Sequence, residues 1–300
     1  MIAEERGKQH HVLADRLAEY LNGPASMEPR TSGLRDQLTD QTVRLLHEVQ
    51  PHRRVEDLIL PADVVASFNE LVEEQSRADL LRAYGLEPRH RILLVGPPGN
   101  GKTSLAEALA EALSLSMYVV RYEGVIGSYL GETAVRLRQV FDFVRTRPCV
   151  LFLDEFDTLG KERGDPHDTG EVKRVVSSLL LQIDDLPSHV VVVTATNHAE
   201  LLDRAVWRRF EVCLNLPAPG LEEVMEWLQR LEQRIGEPLG RLATEMPNRL
   251  LGLSYSDLEL IALDLQRQRI LRAGSVPFEQ IVRDRIDHAT RRAGPWSQDD

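Results

Sequence analysis

The sequence predicts an α/β protein: a parallel sheet covered by helices on both faces, followed by a smaller, all-helical domain. Between residues 90 and 217, short apolar runs that fit buried strands alternate with helical patterns. This alternation is typical of a parallel sheet in which both faces are covered. After Pro217 the apolar spacing is helical only. A polar segment with helical spacing precedes the sheet and forms an N-terminal extension.

These patterns divide the chain into four parts: a helical N-terminal region (1–54), an α/β domain (55–217), a smaller helical domain (218–294) and a tail (295–300). In the first part, apolar spacing predicts helices over residues 11–21 and 36–49. The predicted strands of the α/β domain are 92–95, 117–121, 150–153, 190–194 and 210–214. The predicted helices after residue 55 are 64–81, 102–113, 133–145, 171–183, 222–231, 257–270 and 278–289.

Composition excludes several classes of protein. The chain has 300 residues, 42% of them apolar, which argues against a disordered or fibrous chain. Its net charge of −11 disfavours binding to nucleic acid or an anionic membrane by charge alone. Cys149 and Cys213 are too few for a disulfide framework and are interpreted as reduced core residues. Because neither a signal peptide nor a membrane-length apolar run is present, we expect a cytoplasmic protein.

A glycine-rich loop follows the first core strand and precedes a helix, in the pattern GxxxxGK[ST]. Glycines let backbone N–H groups turn inward, and together with the helix N-terminus these groups bind phosphate oxygens. Lys102 is predicted to contact the β- and γ-phosphates, and the Thr103 hydroxyl to bind Mg²⁺. The predicted ATP-binding residues of this loop are Gly96, Pro97, Pro98, Gly99, Asn100, Gly101, Lys102, Thr103 and Ser104.

Polar side chains follow two further apolar strands. Asp154 and Glu155 end one strand, and since consecutive strand residues point to opposite sides, they can take different roles. We predict Asp154 as a Mg²⁺ ligand and Glu155 as the group that activates or orients a water. Asn197 ends the next strand and can help to hold that water at the carboxyl edge of the sheet. The alternatives are a solvated acidic strand end and a turn-forming asparagine.

Two adjacent arginines, Arg208 and Arg209, follow Asn197 in the run LDRAVWRRF. Arginines near a subunit surface can reach the γ-phosphate bound by a neighbour and stabilise its transition state. A pair of solvated surface charges is the alternative.

Together these motifs resemble an AAA-type ATPase of the AAA+ class, over about residues 55–292. The resemblance identifies residues 96–103 as Walker A, 150–155 as Walker B, Asn197 as sensor 1 and 194–210 as the second region of homology. It also implies that the α/β domain (55–217) is the nucleotide-binding domain and that the helical domain (218–294) is its lid. It implies a P-loop fold that hydrolyses ATP with Mg²⁺, and a ring, commonly a hexamer, in which Arg208 and Arg209 act on the neighbouring site.

Further segments resemble those of AAA proteins that thread polypeptides. Tyr129, within GSYLGET, matches the aromatic of a pore loop, although a core tyrosine is the alternative. The segment from Asp57 to Pro61 matches the one that covers adenine. Two departures stand out: Asn100 replaces a threonine common in the family, for which we expect little effect, and Tyr255 replaces a glycine near the ribose, where its bulk opposes close approach of the nucleotide.

A narrower resemblance concerns small stand-alone bacterial AAA ATPases. It rests on the runs LRAYGLEPR (81–89), YEGVIGSYLGET (122–133) and DEFDTLGKERG (154–164). Members of this group are often encoded beside subtilisin-like peptidases and are linked with phage defence. The resemblance therefore implies such a peptidase as a candidate partner.

Three functions remain open. The first is a ring that remodels or threads protein partners, and the second is a regulatory switch that gates a separate peptidase. The third is a nucleic-acid-acting loader or transposition helper, which the negative charge disfavours. Its candidate basic patches are Arg53 with Arg54, and the C-terminal helix with Arg283, Arg285, Arg291 and Arg292.

Overall fold

The computed structural model describes residues 45–121, 130–156, 169–272 and 276–293. The predicted helix over residues 11–21 and most of the N-terminal region lie outside the described residues. So does Tyr129.

Six strands form one sheet in the order β1-β3-β4-β5-β2-β6. All neighbouring pairs are parallel except β1 and β3, which are antiparallel. The mostly parallel sheet confirms the predicted α/β class. The strands are β1 (Leu46–Val49), β2 (Arg91–Val95), β3 (Met117–Val120), β4 (Cys149–Leu153), β5 (Val190–Thr196) and β6 (Val212–Asn215).

The prediction of a helix through residue 49 is wrong, because Leu46–Val49 is the edge strand β1. Leu46 pairs with Val120, so the backbone groups of this segment bond to β3 instead of forming helical turns. Leu45 and Leu46 are buried in the core below the sheet. A short apolar run carries too little periodicity to separate strand from helix, and here the partner strand decides. The sheet thus begins before residue 55.

Helices cover the sheet and connect its strands. They are α1 (Ala62–Ser76), α2 (Ala78–Ala83), α3 (Lys102–Ala112), α4 (Leu130–Arg145), α5 (Thr169–Asp184) and α6 (Arg204–Trp207). The helix predicted over 64–81 is therefore two helices, which meet at Arg77. Short 3₁₀ turns lie at Val55–Asp57 and Ala199–Leu201.

Strand β4 is apolar throughout because both of its faces are covered. All five of its residues are buried. Leu151 and Leu153 pack into one core, whereas Val150 and Phe152 pack into the other, on the opposite face. A strand covered on both faces has no solvent side, so no polar alternation is needed.

The two cysteines have different surroundings. Cys149 is buried in β4, and burial raises the pKa of its thiol to about 12, so it is a neutral core residue as predicted. Cys213 is exposed, and its interpretation as a core residue is wrong. It lies on the edge strand β6, where buried and exposed residues alternate.

After β6 the described chain is helical: α7 (Leu221–Ile235), α8 (Leu242–Glu245), α9 (Pro247–Leu250), α10 (Tyr255–Leu271) and α11 (Phe278–Ala293). These helices share a third core, separate from those of the sheet, which includes Leu228, Leu258 and Ile286. The short α8 and α9 are not predicted from the sequence. Among the described residues, none of the helices has the length and apolarity needed to cross a membrane.

Candidate functional site

A cleft of about 790 Å³ opens at the carboxyl edge of the sheet. It is bordered by the loop between β2 and α3, by residues that follow β4 and β5, by the segment before α1, and by α7 and α10. Among its lining residues are these predicted ones: Asp57, Pro98, Gly99, Asn100, Gly101, Lys102, Thr103, Ser104, Asp154, Glu155 and Asn197. The remaining two loop residues, Gly96 and Pro97, lie directly before them.

The loop between β2 and α3 adopts a backbone that only glycine fits at its first position. Gly96 has a φ of +148°, and a Cβ there would lie 2.1 Å from the carbonyl oxygen of Leu216. Gly101 has a φ of +85° and is the N-cap of α3. The N-terminal N–H groups of α3 therefore lie at the cleft, as binding of an anion requires.

Lys102 is the buried cation of the cleft, with 6% of its surface exposed. Its Nζ donates to the carbonyl oxygens of Gly96 at 2.6 Å and of Pro97 at 2.9 Å. A buried ammonium needs polar acceptors, and phosphate oxygens are stronger acceptors than carbonyls. These bonds hold Nζ over the loop at which a phosphate would bind.

Thr103 and the two carboxylates lie together. The Thr103 hydroxyl donates to Asp154 Oδ2 at 3.2 Å, and the Glu155 N–H donates to Asp154 Oδ1 at 2.8 Å. Oxygen ligands of this kind suit Mg²⁺, which is usually held by one or two carboxylates together with substrate phosphates. No cluster of three or more metal-ligating His, Cys, Asp or Glu side chains occurs within the described ranges.

The physical reason that we gave for separate roles of Asp154 and Glu155 is wrong. Strand β4 ends at Leu153, so neither residue follows the alternation of a strand. Glu155 instead has a φ of +47°, in the left-handed region that non-glycine residues rarely adopt. Such a backbone costs about 1 kcal/mol or more, and strained residues of this kind are enriched at functional sites.

Asn197 lies between the loop and the carboxylates. It follows Thr196, the last residue of β5, whose register partner is Val95 at the start of the loop. On the other side of β5, Leu153 pairs with Thr194. The strand order therefore places Asn197 at the edge of the sheet, between the glycine-rich loop and the carboxylate pair.

The segment around Tyr255 reaches the cleft despite the bulk of this residue. Tyr255 and Ser256 both line it. The Tyr255 phenol is half-buried, and this burial, together with the nearby Glu223 and Glu226, raises its pKa. The segment therefore borders the cleft, and the effect of the Tyr255 side chain on the approach of a nucleotide stays a prediction.

Sequence reasoning missed the arginines of the cleft wall. Arg230, on α7, donates to the carbonyl oxygens of Glu56 at 3.0 Å and of Leu58 at 3.3 Å, so it joins the lid to the segment predicted to cover adenine. Arg234 donates to both carboxylate oxygens of Glu259. One signal was available: α7 carries arginines one turn apart on a strongly amphipathic helix.

The two predicted arginine fingers differ. Neither Arg208 nor Arg209 is among the described residues that line the cleft. Arg209 forms an ion pair with Asp184, at the end of α5, and Asp184 also pairs with Arg91. Arg208 is exposed on the turn after α6. Within the described residues, no ion pair engages the Arg208 side chain.

The site has the features of a nucleotide-binding P-loop protein. They are the glycine-rich loop before a helix, the buried lysine, the Thr–Asp pair and the second carboxylate. Comparison with known proteins agrees. Residues 92–218 match the ATPase family associated with various cellular activities (AAA). An uncharacterized AAA family ATPase of Sinorhizobium fredii, y4kL, is 35% identical over 298 residues, which cover 98% of this chain and 90% of that protein. The chain belongs to the AAA family and is an ATPase.

Other relatives share a part of the chain or its fold. The peroxisomal ATPase pex6 of Schizosaccharomyces pombe is 40% identical over 151 residues, 48% of this chain and 16% of that protein. The crystal structure of the FIGL-1 AAA domain has a TM-score of 0.64 at 20% identity, with 90% and 92% of the two chains covered. A second structure of that domain, in complex with ADP, also has a TM-score of 0.64, at 23% identity, with 85% and 89% covered. The structural likeness confirms the P-loop fold.

Proposed function

We propose that the chain assembles into a ring, with a hexamer as the expected form, and uses ATP hydrolysis to remodel or thread a protein partner. The observation that carries this proposal is the cleft, in which the loop, the Thr103–Asp154 pair and Glu155 converge. Likeness to a putative 26S proteasome regulatory subunit homolog of Methanothermobacter marburgensis, 28% identical over 82% of this chain and 65% of that protein, favours work on proteins over work on nucleic acid.

In this proposal each side chain of the cleft has one task. The loop N–H groups and Lys102 hold the phosphates, and Thr103 with Asp154 would hold Mg²⁺. The ion, when bound, neutralises charge on the β- and γ-phosphates. Glu155 accepts a proton from the attacking water, and Asn197 orients that water. The segment from Asp57 to Pro61 covers the adenine.

The structure separates the two arginines in a way that predicts unequal effects. Arg208→Ala is expected to lower ATPase activity by about a thousandfold, the loss typical of a missing arginine finger, without a loss of ATP affinity. Arg209→Ala breaks the pair with Asp184, so we expect lower thermal stability as well as lower activity. Turnover and melting temperature, each measured with wild-type protein as reference, distinguish the two. Full activity of Arg208→Ala in dilute solution would contradict the trans assignment.

Tyr129 distinguishes threading from gating, although it lies outside the described residues. Tyr129→Ala is expected to retain basal ATPase activity and to lose substrate-dependent work, because an aromatic side chain on a loop grips polypeptide by apolar contact. Tyr129→Phe keeps the aromatic side chain and serves as the control. Unchanged activation of a partner by the alanine variant would instead support a gate.

Nucleic-acid binding is the second candidate, and the described arginines do not favour it. The Nε atom of Arg53 lies 3.6 Å from Glu107 Oε2, and that of Arg54 lies 3.7 Å from Glu111 Oε1. The two glutamates belong to α3. The predicted C-terminal patch is similar: Arg283 pairs with Glu245 and Arg285 with Asp264. The side chains of Arg291 and Arg292 lie outside the described part of the chain. Paired arginines have less positive potential to offer phosphates.

Capture from the native cell tests the proposal. The Glu155→Gln protein, loaded with ATP and Mg²⁺, is expected to hold its partner while hydrolysis is blocked. The same protein with Lys102→Ala added is the control that cannot engage ATP. A specific protein held only by the first supports remodelling, and a peptidase would support the gating form. Nucleic acid retained through moderate salt, without protein, would overturn the proposal.

A further inference from the structure

Asn100 lies in the glycine-rich loop with only 3% of its surface exposed. Its Oδ1 accepts a hydrogen bond from the backbone N–H of Tyr255 at 3.3 Å. Because a backbone N–H can only donate, the oxygen of the amide must face Tyr255, which fixes the orientation of the side chain. The Nδ2 group is therefore the half of the amide that is left for another partner.

Nδ2 is buried and has no hydrogen-bond partner among the described residues. A buried amide donor without a partner is destabilising, because it has lost its hydrogen bonds to water and has gained none in exchange. Asn100 lines the cleft between Gly99 and Gly101, whose backbone belongs to the phosphate-binding loop. An acceptor that enters this part of the cleft would satisfy the donor.

A second contact joins the same loop to α10. The carbonyl oxygen of Gly99 accepts from the Ser256 N–H at 3.0 Å and from the Ser256 hydroxyl at 3.2 Å. A Cβ at Gly99 would lie 2.8 Å from Ser254 Oγ, so the loop has no room for a side chain there. The first turn of α10 thus uses two of its N–H groups, those of Tyr255 and Ser256, on the loop itself.

From this arrangement we propose that Asn100 binds the nucleotide with its side chain and couples it to the lid: its Nδ2 donates to a phosphate oxygen of the nucleotide while its Oδ1 holds the first turn of α10. The proposal rests on the proposed binding of nucleotide in the cleft. Binding orders the Asn100 amide, and the Tyr255 N–H then exchanges with solvent more slowly. Asn100 is therefore not the neutral replacement for threonine that the sequence alone suggests.

Two substitutions separate the halves of this role. Asn100→Asp keeps the shape and the acceptor for Tyr255 but removes the donor, whereas Asn100→Ala removes both. Ser256→Ala is the matched control, since it removes one bond between lid and loop from the lid side and leaves Asn100 intact. For each protein, the ADP dissociation constant is measured by calorimetry, and hydrogen exchange at the amides of Tyr255 and Ser256 is followed with and without ADP.

We expect ADP to bind about tenfold more weakly to Asn100→Ala, as for one lost hydrogen bond to a charged group, and more weakly still to Asn100→Asp, which adds repulsion. Without ADP, Asn100→Asp should keep the protection of the Tyr255 amide and Asn100→Ala should lose it. The increase in protection on adding ADP should be present in wild type and Ser256→Ala and absent from both Asn100 variants.

Affinity within twofold of wild type for both Asn100 variants would overturn the proposal. An unchanged ADP-induced protection in either variant would also overturn it. If Asn100→Ala does not fold, the nearly isosteric Asn100→Asp decides the question alone. Failure of the wild-type protein to bind ADP is a different result, because it would contradict the nucleotide-binding cleft itself.

Discussion

Replacing Lys102 with alanine is expected to weaken ATP binding by at least about a hundredfold and to abolish hydrolysis. The reason is that two hydrogen bonds from its ammonium group to phosphate oxygens of ATP would be worth about 3 kcal/mol or more. The ammonium is buried at the loop and already donates to the carbonyls of Gly96 and Pro97. Alanine removes the charge and leaves the loop backbone in place.

Equilibrium titration with ATP and a phosphate-release assay measure this effect. Arg77→Ala is the control, since it removes one cation from the exposed junction of α1 and α2, where Arg77 pairs with Glu73, and Arg77 is not among the described residues that line the cleft. We expect this control to bind ATP like wild type. Thermal unfolding of both variants shows whether the loop keeps its fold without the Lys102 ammonium. Retained ATP affinity in a folded Lys102→Ala protein would place the phosphate site elsewhere.

The parts of the site that depend on local pattern were predictable from the sequence. The glycine-rich loop is contiguous, and its chemistry depends on backbone conformations that glycine alone permits, as at Gly96. Asp154 and Asn197 were predictable for a related reason, since both directly follow apolar strands and parallel strands end at one edge of a sheet. Register then places Asn197 between its two neighbours.

The parts that depend on distant partners were not predictable. Leu46–Val49 is a strand only because β3 offers an open edge. Arg230 and Asn100 acquire their contacts from segments 172 and 155 residues away, and no local pattern reports such a contact. The left-handed backbone of Glu155 is likewise imposed by its surroundings, since nothing in a glutamate favours it.

The pair Arg208 and Arg209 shows the same limit within one motif. Adjacent arginines look equivalent in the sequence. The fold distinguishes them, because the end of α5 brings Asp184 to Arg209 and not to Arg208. Different effects of Arg208→Ala and Arg209→Ala therefore cannot be predicted from the sequence, because they depend on where the end of α5 lies in the fold.

Replacing Glu155 with glutamine is expected to lower the rate of ATP hydrolysis by about a hundredfold to ten-thousandfold, the usual contribution of a general base, while ATP binding is retained. Glutamine has nearly the same shape as glutamate but cannot accept the proton of the attacking water. The groups that hold the phosphates, Lys102 and the loop backbone, are unchanged. The bond from the residue-155 N–H to Asp154 Oδ1 is also unchanged, because it comes from the backbone.

Single-turnover hydrolysis and ATP titration, measured on the same preparation, separate the two quantities. Glu259→Gln is the charge-matched control: Glu259 lines the cleft from α10, and its hydrogen bonds among the described residues go to Arg234 and not to Thr103 or Asp154. We expect it to hydrolyse ATP at a rate close to that of wild type. If both substitutions slow hydrolysis equally, the loss follows from the charge of the cleft as a whole. A loss confined to Glu155→Gln assigns the proton transfer to this one carboxylate.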